Sequence, residues 1–249
     1  MTSTPKSIIP ETGERALLVG RTGSGKTGLA CWLLSRMENS PIVIYDTKIE
    51  PKFEKLVASK VVENMDDCIE ACESGEFDYV IVRPELEVLH DAEYLDGMLY
   101  EHYMRLHGVP AYIDEIYTFH INGRAGQGLV ALLTRGRSKG ITTIMSTQRP
   151  AWISRFCITE SGKFYILRLI DAKDRKRFDD VIEDFSDLTP PAKFQFYYID
   201  IGESEKPVLF QPVKLDAGID DGYVSKNSDE IPKADDAANS SPDESSVWI

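Results

Sequence analysis

No apolar run in this sequence of 249 residues approaches the roughly 20 residues that a bilayer-crossing helix needs. The first fourteen residues, MTSTPKSIIPETGE, lack the charged-then-apolar order of a secretory leader. Paired cysteines are missing too: Cys31, Cys68, Cys72 and Cys157 form no CxxC unit, which removes the usual zinc and redox spacings. Cys68 and Cys72 fall at i, i+4, but no histidine or second pair stands near them, so they read as small apolar helix residues. These absences point to a soluble protein of a reducing cytoplasm. Positive charge is also scarce, with 28 Lys and Arg against 41 Asp and Glu and a net charge of -13. At first sight that argues against a nucleic-acid partner. The shortage is uneven, however. From Asp216 onward acidic residues far outnumber Lys226 and Lys233, whereas the stretch from Arg124 to Arg177 is locally basic. Local pattern therefore carries more weight than whole-chain charge.

Hydropathy patterning divides the chain into three parts: an extended lead-in over residues 1–14, a folded body over 15–215, and an acidic tail over 216–249. The body has short apolar runs ending in glycine, proline or carboxylates, which read as buried strands. They are ALLVG (16–20), PIVIYD (41–46), FDYVIVRP (77–84), VPAYIDE (109–115), GITTIMSTQRP (140–150) and KFYILRL (163–169). Between them lie helical periodicities after Gly25 and over 66–75, 90–108, 128–140 and 171–185. KFQFYYIDI (193–201) and PVLFQPV (207–213) read as a closing hairpin around Gly202. Strands alternating with helices predict an α/β fold whose mostly parallel central sheet is covered on both faces. The tail is too poor in large apolar residues to offset ordering entropy, and its composition reads as disordered. Trp248 and Ile249 at its end are a candidate docking peptide.

Gly20-Arg21-Thr22-Gly23-Ser24-Gly25-Lys26-Thr27 fits G-x-x-x-x-G-K-[ST] at every fixed position, between an expected strand and an expected helix. Glycines let backbone N–H groups approach a polyphosphate, and the helix start adds its own free N–H groups. Lys26 is placed to reach the β- and γ-phosphates of ATP, and the Thr27 hydroxyl to ligate Mg²⁺. Ala111-Tyr112-Ile113 ends in Asp114-Glu115. There Asp114 is the candidate to hold Mg²⁺ through water and Glu115 the candidate general base. Gln148 ends the fifth strand, where a carboxamide senses a γ-phosphate, orients water or simply bonds a loop. Arg135 and Arg137 precede that strand and read either as solvated helix residues or as cations reaching a neighbouring protomer's γ-phosphate.

The segment from Gly136 to Pro150, GRSKGITTIMSTQRP, resembles the FtsK/HerA superfamily of DNA-pumping ATPases, with its Arg-x-x-Gly-Ile, apolar strand and terminal Thr-Gln-Arg-Pro. Ile44-Tyr45-Asp46-Thr47-Lys48 looks like that family's second-strand ending. With the phosphate loop and Asp114-Glu115, four motifs stand in the family's order. The resemblance implies a RecA-like core working as a ring, expected to be a hexamer, around double-stranded DNA. ATP would sit between protomers, with Lys26, Thr27, Asp114, Glu115 and Gln148 from one and an arginine from the next, Arg137 before Arg135. DNA would be held through its phosphates. Candidates for that contact are Arg124, Lys139, Arg149, Arg155 and the cluster from Lys173 to Arg177, although the cluster also reads as a solvated helix face.

The chain is short for the superfamily, without a membrane span or an appended DNA-reading module. In this it is similar to the genome-packaging ATPases of membrane-containing icosahedral viruses such as tectivirus-like phages. That likeness implies packaging of a viral genome into a preformed capsid, in the host cytoplasm and at the virion's packaging vertex, with capsid or portal-vertex proteins as partners. A plasmid-mobilisation or chromosome-segregation pump is the nearest alternative. A P-loop kinase or small-molecule NTPase, and a nucleotide-gated scaffold, are alternatives of other classes.

Overall fold

The computed structural model describes residues 8–213. The tail over 216–249, with its expected disorder and its candidate docking peptide, lies outside the described residues, as do the first seven. Residues 8–14 pack against the body of the fold. Ile8 is buried, its carbonyl accepts the Tyr165 hydroxyl, and the Gly13 N–H donates to Thr142 Oγ1 at 3.0 Å.

The elements follow in order: β1 (Arg15–Val19), α1 (Lys26–Leu34), β2 (Ile42–Tyr45), α2 (Pro51–Glu54), β3 (Ser59–Val62), α3 (Met65–Ser74), β4 (Tyr79–Val82) and α4 (Ala92–Arg105). Then come β5 (Ala111–Ile113), the small ribbon β6 (His120–Ile121) and β7 (Arg124–Ala125), α5 (Gln127–Arg135) and β8 (Thr143–Thr147). The chain continues through α6 (Arg155–Thr159), β9 (Lys163–Ile166), α7 (Ala172–Lys176) and the hairpin β10 (Phe196–Asp200) and β11 (Ser204–Phe210). Nine strands form one sheet in the order β11-β10-β9-β1-β8-β5-β2-β4-β3. Seven run parallel, from β9 to β3, while β10 lies antiparallel to β9 and β11 antiparallel to β10.

The period-2 alternation of the strands feeds two cores, one on each face. Leu17, Val19, Val43, Tyr45, Ile113 and Met145 pack with α3, α4 and α5 on one side. Ala16, Leu18, Ile44, Tyr112 and Ile144 pack with α1 on the other, where Trp32 is buried. Burial on both faces explains why these strands read as unbroken apolar runs. Short polar elements are less visible. β3 is an edge strand with two of its four residues exposed and a third only partly covered, so its sequence carries no apolar run.

Two expected helices are shorter than their periodicity suggests. The 128–140 helix ends at Arg135 and tightens into a 3-10 turn from Gly136 to Lys139. The charged helix expected over 171–185 stops at Lys176. Its own Arg175 is the cause: the guanidinium is buried and donates to the carbonyls of Leu169, Phe185, Ser186 and Leu188. Those bonds draw the following chain back over the side chain, through Asp184 at φ 51. Phe178, Ile182 and Phe185 are buried beneath the resulting turns.

Candidate active site

β1 delivers the chain to the C-terminal edge of the sheet beside β8, where open α/β sheets place their ligands. Gly20 opens the loop there. A Cβ on it would lie 2.5 Å from Ser24 Oγ and 2.9 Å from Leu167 Cβ, so no larger residue fits. Gly25 takes φ 99, a conformation suited to glycine, and α1 starts at once with Lys26. The first N–H groups of α1 therefore face the loop. Beside it is a cleft of about 670 Å³ lined by Arg21, Thr22, Gly23, Gly25, Lys26 and Thr27, with Asp114 and Gln148 on one wall. The segment after β2 from Lys48 to Lys52, which runs into α2, and Phe194 line it as well. Ser24 lies beneath the loop, and its buried hydroxyl has no partner among the described residues.

The two carboxylates that end β5 reach the lysine of this loop. Lys26 Nζ stands 3.1 Å from Glu115 Oε1 and 3.8 Å from Asp114 Oδ1. Asp114 accepts the Ser146 hydroxyl at 2.6 Å and the Tyr112 hydroxyl at 3.3 Å, so its orientation is fixed from β8 and from its own strand. Glu115 is fully buried. Its Oε1 also receives Lys48 Nζ at 2.6 Å, and its Oε2 accepts the Gln148 N–H at 3.2 Å. Burial pushes the Glu115 carboxyl up, but the Lys26 and Lys48 ammoniums outweigh it and leave it below its ordinary value. The carboxylate form is thus the resident one. Gln148 is itself tied to the phosphate loop, its Oε1 accepting the Thr22 hydroxyl at 2.6 Å.

Lys48 is aimed by Asp46. This buried carboxylate accepts the Lys48 and Glu50 N–H groups at 3.2 and 2.8 Å and receives Arg83 Nε at 2.8 Å. Burial raises the Asp46 carboxyl above its ordinary value against the pull of Arg83. Arg83 in turn pairs with Glu54 and donates to the Glu50 carbonyl. Lys48 follows Asp46 by two residues in the sequence, but only the folded turn reveals that it reaches Glu115. Backbone strain gathers in the same region. Ile49, Glu115 and Phe194 have φ of 57, 50 and 68, left-handed values costly for residues with a side chain.

His120 connects the acidic strand end to the segment after Gln148. Its Nδ1–H donates to the Ile116 carbonyl and its Nε2 accepts the Ser154 N–H, each at 2.9 Å. Burial lowers its pKa, which keeps the ring neutral and able to accept. Arg135 and Arg137 are not part of this cleft. Both are exposed, and they precede β8, so they lie at the opposite end of the strand, where Arg137 packs on Gly13. The basic cluster is partly internal. Arg175 is buried, Arg177 donates to the Pro150 and Ile153 carbonyls, and Asp174 pairs with Arg149. Its reading as a solvated face holds only for Lys173 and Lys176. Among the described residues no group of three or more His, Cys, Asp or Glu is arranged for a metal, and no helix is long and apolar enough to cross a membrane.

No protein-family model matches the chain. The DNA packaging ATPase P9 of Enterobacteria phage PRD1 is 33% identical to it over 220 residues, covering 82% of this chain and 89% of that protein. Among solved structures, the genome packaging NTPase B204 of Sulfolobus turreted icosahedral virus 2 in complex with ATP-gammaS aligns with a TM-score of 0.64 at 18% identity, over 81% of this chain and 98% of the other. B204 of Sulfolobus Turreted Icosahedral Virus, a DNA-packaging ATPase, aligns with a TM-score of 0.61 at 19% identity, over 82% and 100%. At these identities the structural likeness is one of fold.

Proposed function

This chain belongs to the family of viral DNA-packaging ATPases and is an ATPase that drives genome packaging; we propose that it does so by hydrolysing Mg²⁺-ATP in the cleft at Lys26 while holding double-stranded DNA through its phosphates. The observation that carries the reading is the contact of Lys26 with Glu115 and Asp114 across a cleft floored by the phosphate loop. The backbone of Gly20 to Thr27 would hold the phosphates, with Lys26 as their cation. A buried ammonium placed beside carboxylates has two sets of possible partners, and a triphosphate competes for it. On binding, Lys26 turns to the phosphates and Glu115 is left to polarise the attacking water as general base. Lys48 keeps Glu115 oriented, and Gln148 positions the water or the γ-phosphate.

The donor set fits Mg²⁺. One carboxylate, Asp114, and one hydroxyl, Thr27, border the cleft. Mg²⁺ in such sites takes few protein ligands and fills the rest with phosphate oxygens and water. Asp114, through water, and the Thr27 hydroxyl would hold it, and there it would supply neutralising charge to the transferring phosphoryl group.

The unit over 15–215 would be the ATPase domain. Arg137, or else Arg135, would reach the cleft of the next copy in a closed ring, which we take to be a hexamer. Of the basic residues weighed for DNA, exposed Arg124 on the β6–β7 ribbon would be a phosphate contact, and exposed Arg155 would have to leave its pairing with Asp180 to be one. The motor would act in the host cytoplasm and at the packaging vertex of the virion, docked on capsid or portal-vertex proteins. The test is ATPase activity of the full chain with and without double-stranded DNA. Stimulation that weakens steeply with salt is expected. Activity indifferent to DNA, with phosphorylation of a small acceptor instead, would favour the kinase reading.

A further inference from the structure

We propose that the ring of Phe194 is the surface on which the nucleobase of the bound nucleotide stacks, a reading that rests on the assignment of the cleft to ATP. The orientation of the ligand follows from the sheet order. β1, which carries the phosphate loop, has β8 and β5 on one side and β9 and β10 on the other. Asp114, Glu115 and Gln148 end β5 and β8, so the scissile end of a triphosphate lies on that side. Its nucleoside end leaves toward β9 and β10. Phe194 stands there, two residues before β10, and lines the same cleft as Arg21, Thr22 and Gly23.

The backbone that carries the ring is held rather than loose. Phe194 keeps a φ of 68, which a bulky aromatic residue adopts only where its surroundings dictate it. The flanking turn is pinned from both sides. Arg168 donates to the Pro191 carbonyl at 3.2 Å, and the Gln195 side chain accepts the Ala192 N–H at 3.1 Å and donates to Gln211 at 3.0 Å. Yet Phe194 is only half-buried. Lys193 Nζ lies 4.6 Å from the ring centroid. With Arg21 and Arg168 it lines an adjoining cavity of about 250 Å³ beside the phosphate loop. A partly open ring on a pinned turn with cations around it, at the nucleoside end of a phosphate cleft, suits a purine attached to a polyanion. Stacking recognises the π-face that every base has, so the platform supplies affinity with little choice between bases.

The test compares binding of ATPγS and of inorganic tripolyphosphate, both with Mg²⁺, to the full chain. Phe194→Ala is expected to weaken ATPγS roughly tenfold or more and to leave tripolyphosphate unchanged; Phe194→Trp should retain both. Unchanged ATPγS affinity in Phe194→Ala overturns the proposal. So does equal weakening of both ligands, which would mark Phe194 as a support for the loop. Lys26→Ala is the control for the cleft itself and should lose both ligands. If it keeps both, the assignment of the cleft fails, a result distinct from failure of the stacking platform.

Discussion

At the residue scale the site is organised around one buried acid. Glu115 sits at a left-handed φ at the end of β5 and is held by two lysines and one backbone N–H. As the proposed general base it would depend on its charge, because water is activated by a carboxylate and not by a carboxamide. Glu115→Gln should therefore bind ATP and hydrolyse it about 10²–10⁴-fold more slowly, measured as steady-state phosphate release alongside nucleotide binding. A wild-type rate in this variant would remove Glu115 from the role of base. The same charge bears on stability. The folded protein holds this carboxyl below its ordinary value, so the stabilisation is present above the unfolded-state pKa and is lost as pH falls through the lower folded-state value. Much of this was legible beforehand: Lys26 and Asp114-Glu115 are fixed by strand ends and spacing. Lys48 and Phe194 were not. Lys48 is aimed by a turn that Asp46 and Arg83 build across two strands, and Phe194 by a turn anchored at Arg168 and Gln211. Neither arrangement leaves a local pattern.

At the element scale the least legible contact is the start of α5. The sequence offers only Gly126 before it, with no side chain to cap the helix. The cap comes instead from α4. The buried Asp96 carboxylate accepts the Gly128 and Leu129 N–H groups at 2.8 and 2.9 Å. A Cβ at Gly128 would lie 2.1 Å from the Asp96 carbonyl oxygen, so the two helices meet backbone to backbone. Asp96→Ala strips two buried N–H groups of their acceptor and should cost about 2 kcal/mol. That corresponds to a fall in Tm of roughly 4–8 °C for a chain of this size, read by thermal unfolding. An unchanged Tm would show that water replaces the carboxylate at no cost. The long periodic elements, α3 and α4 and the apolar strands, were readable because burial on one or both faces dictates their spacing. The 171–185 region misled because its charges suggest an exposed helix, while Arg175 is spent inward on four carbonyls.

At the scale of the whole molecule, the sheet separates the cleft from Arg135 and Arg137 by the length of β8. Neither arginine serves its own cleft, so a role in catalysis requires a second copy. Mixing Arg137→Ala protomers with Lys26→Ala protomers checks this, since each retains what the other lacks. Partial return of hydrolysis in the mixture is expected. No return, with Arg137→Ala alone fully active, would dismiss Arg137 as the donor in trans. A last consequence follows from the contacts of Lys26 with Asp114 and Glu115. Two ammoniums, Lys26 and Lys48, face two carboxylates, so this cluster is charge-balanced within itself. If Lys26 holds the phosphates as proposed, the acids would be free to reclaim it once the cleaved phosphate departs, which would weaken the hold on the remaining diphosphate. In that arrangement the site itself would compete with spent product for the same ammonium, which would favour release over tight retention.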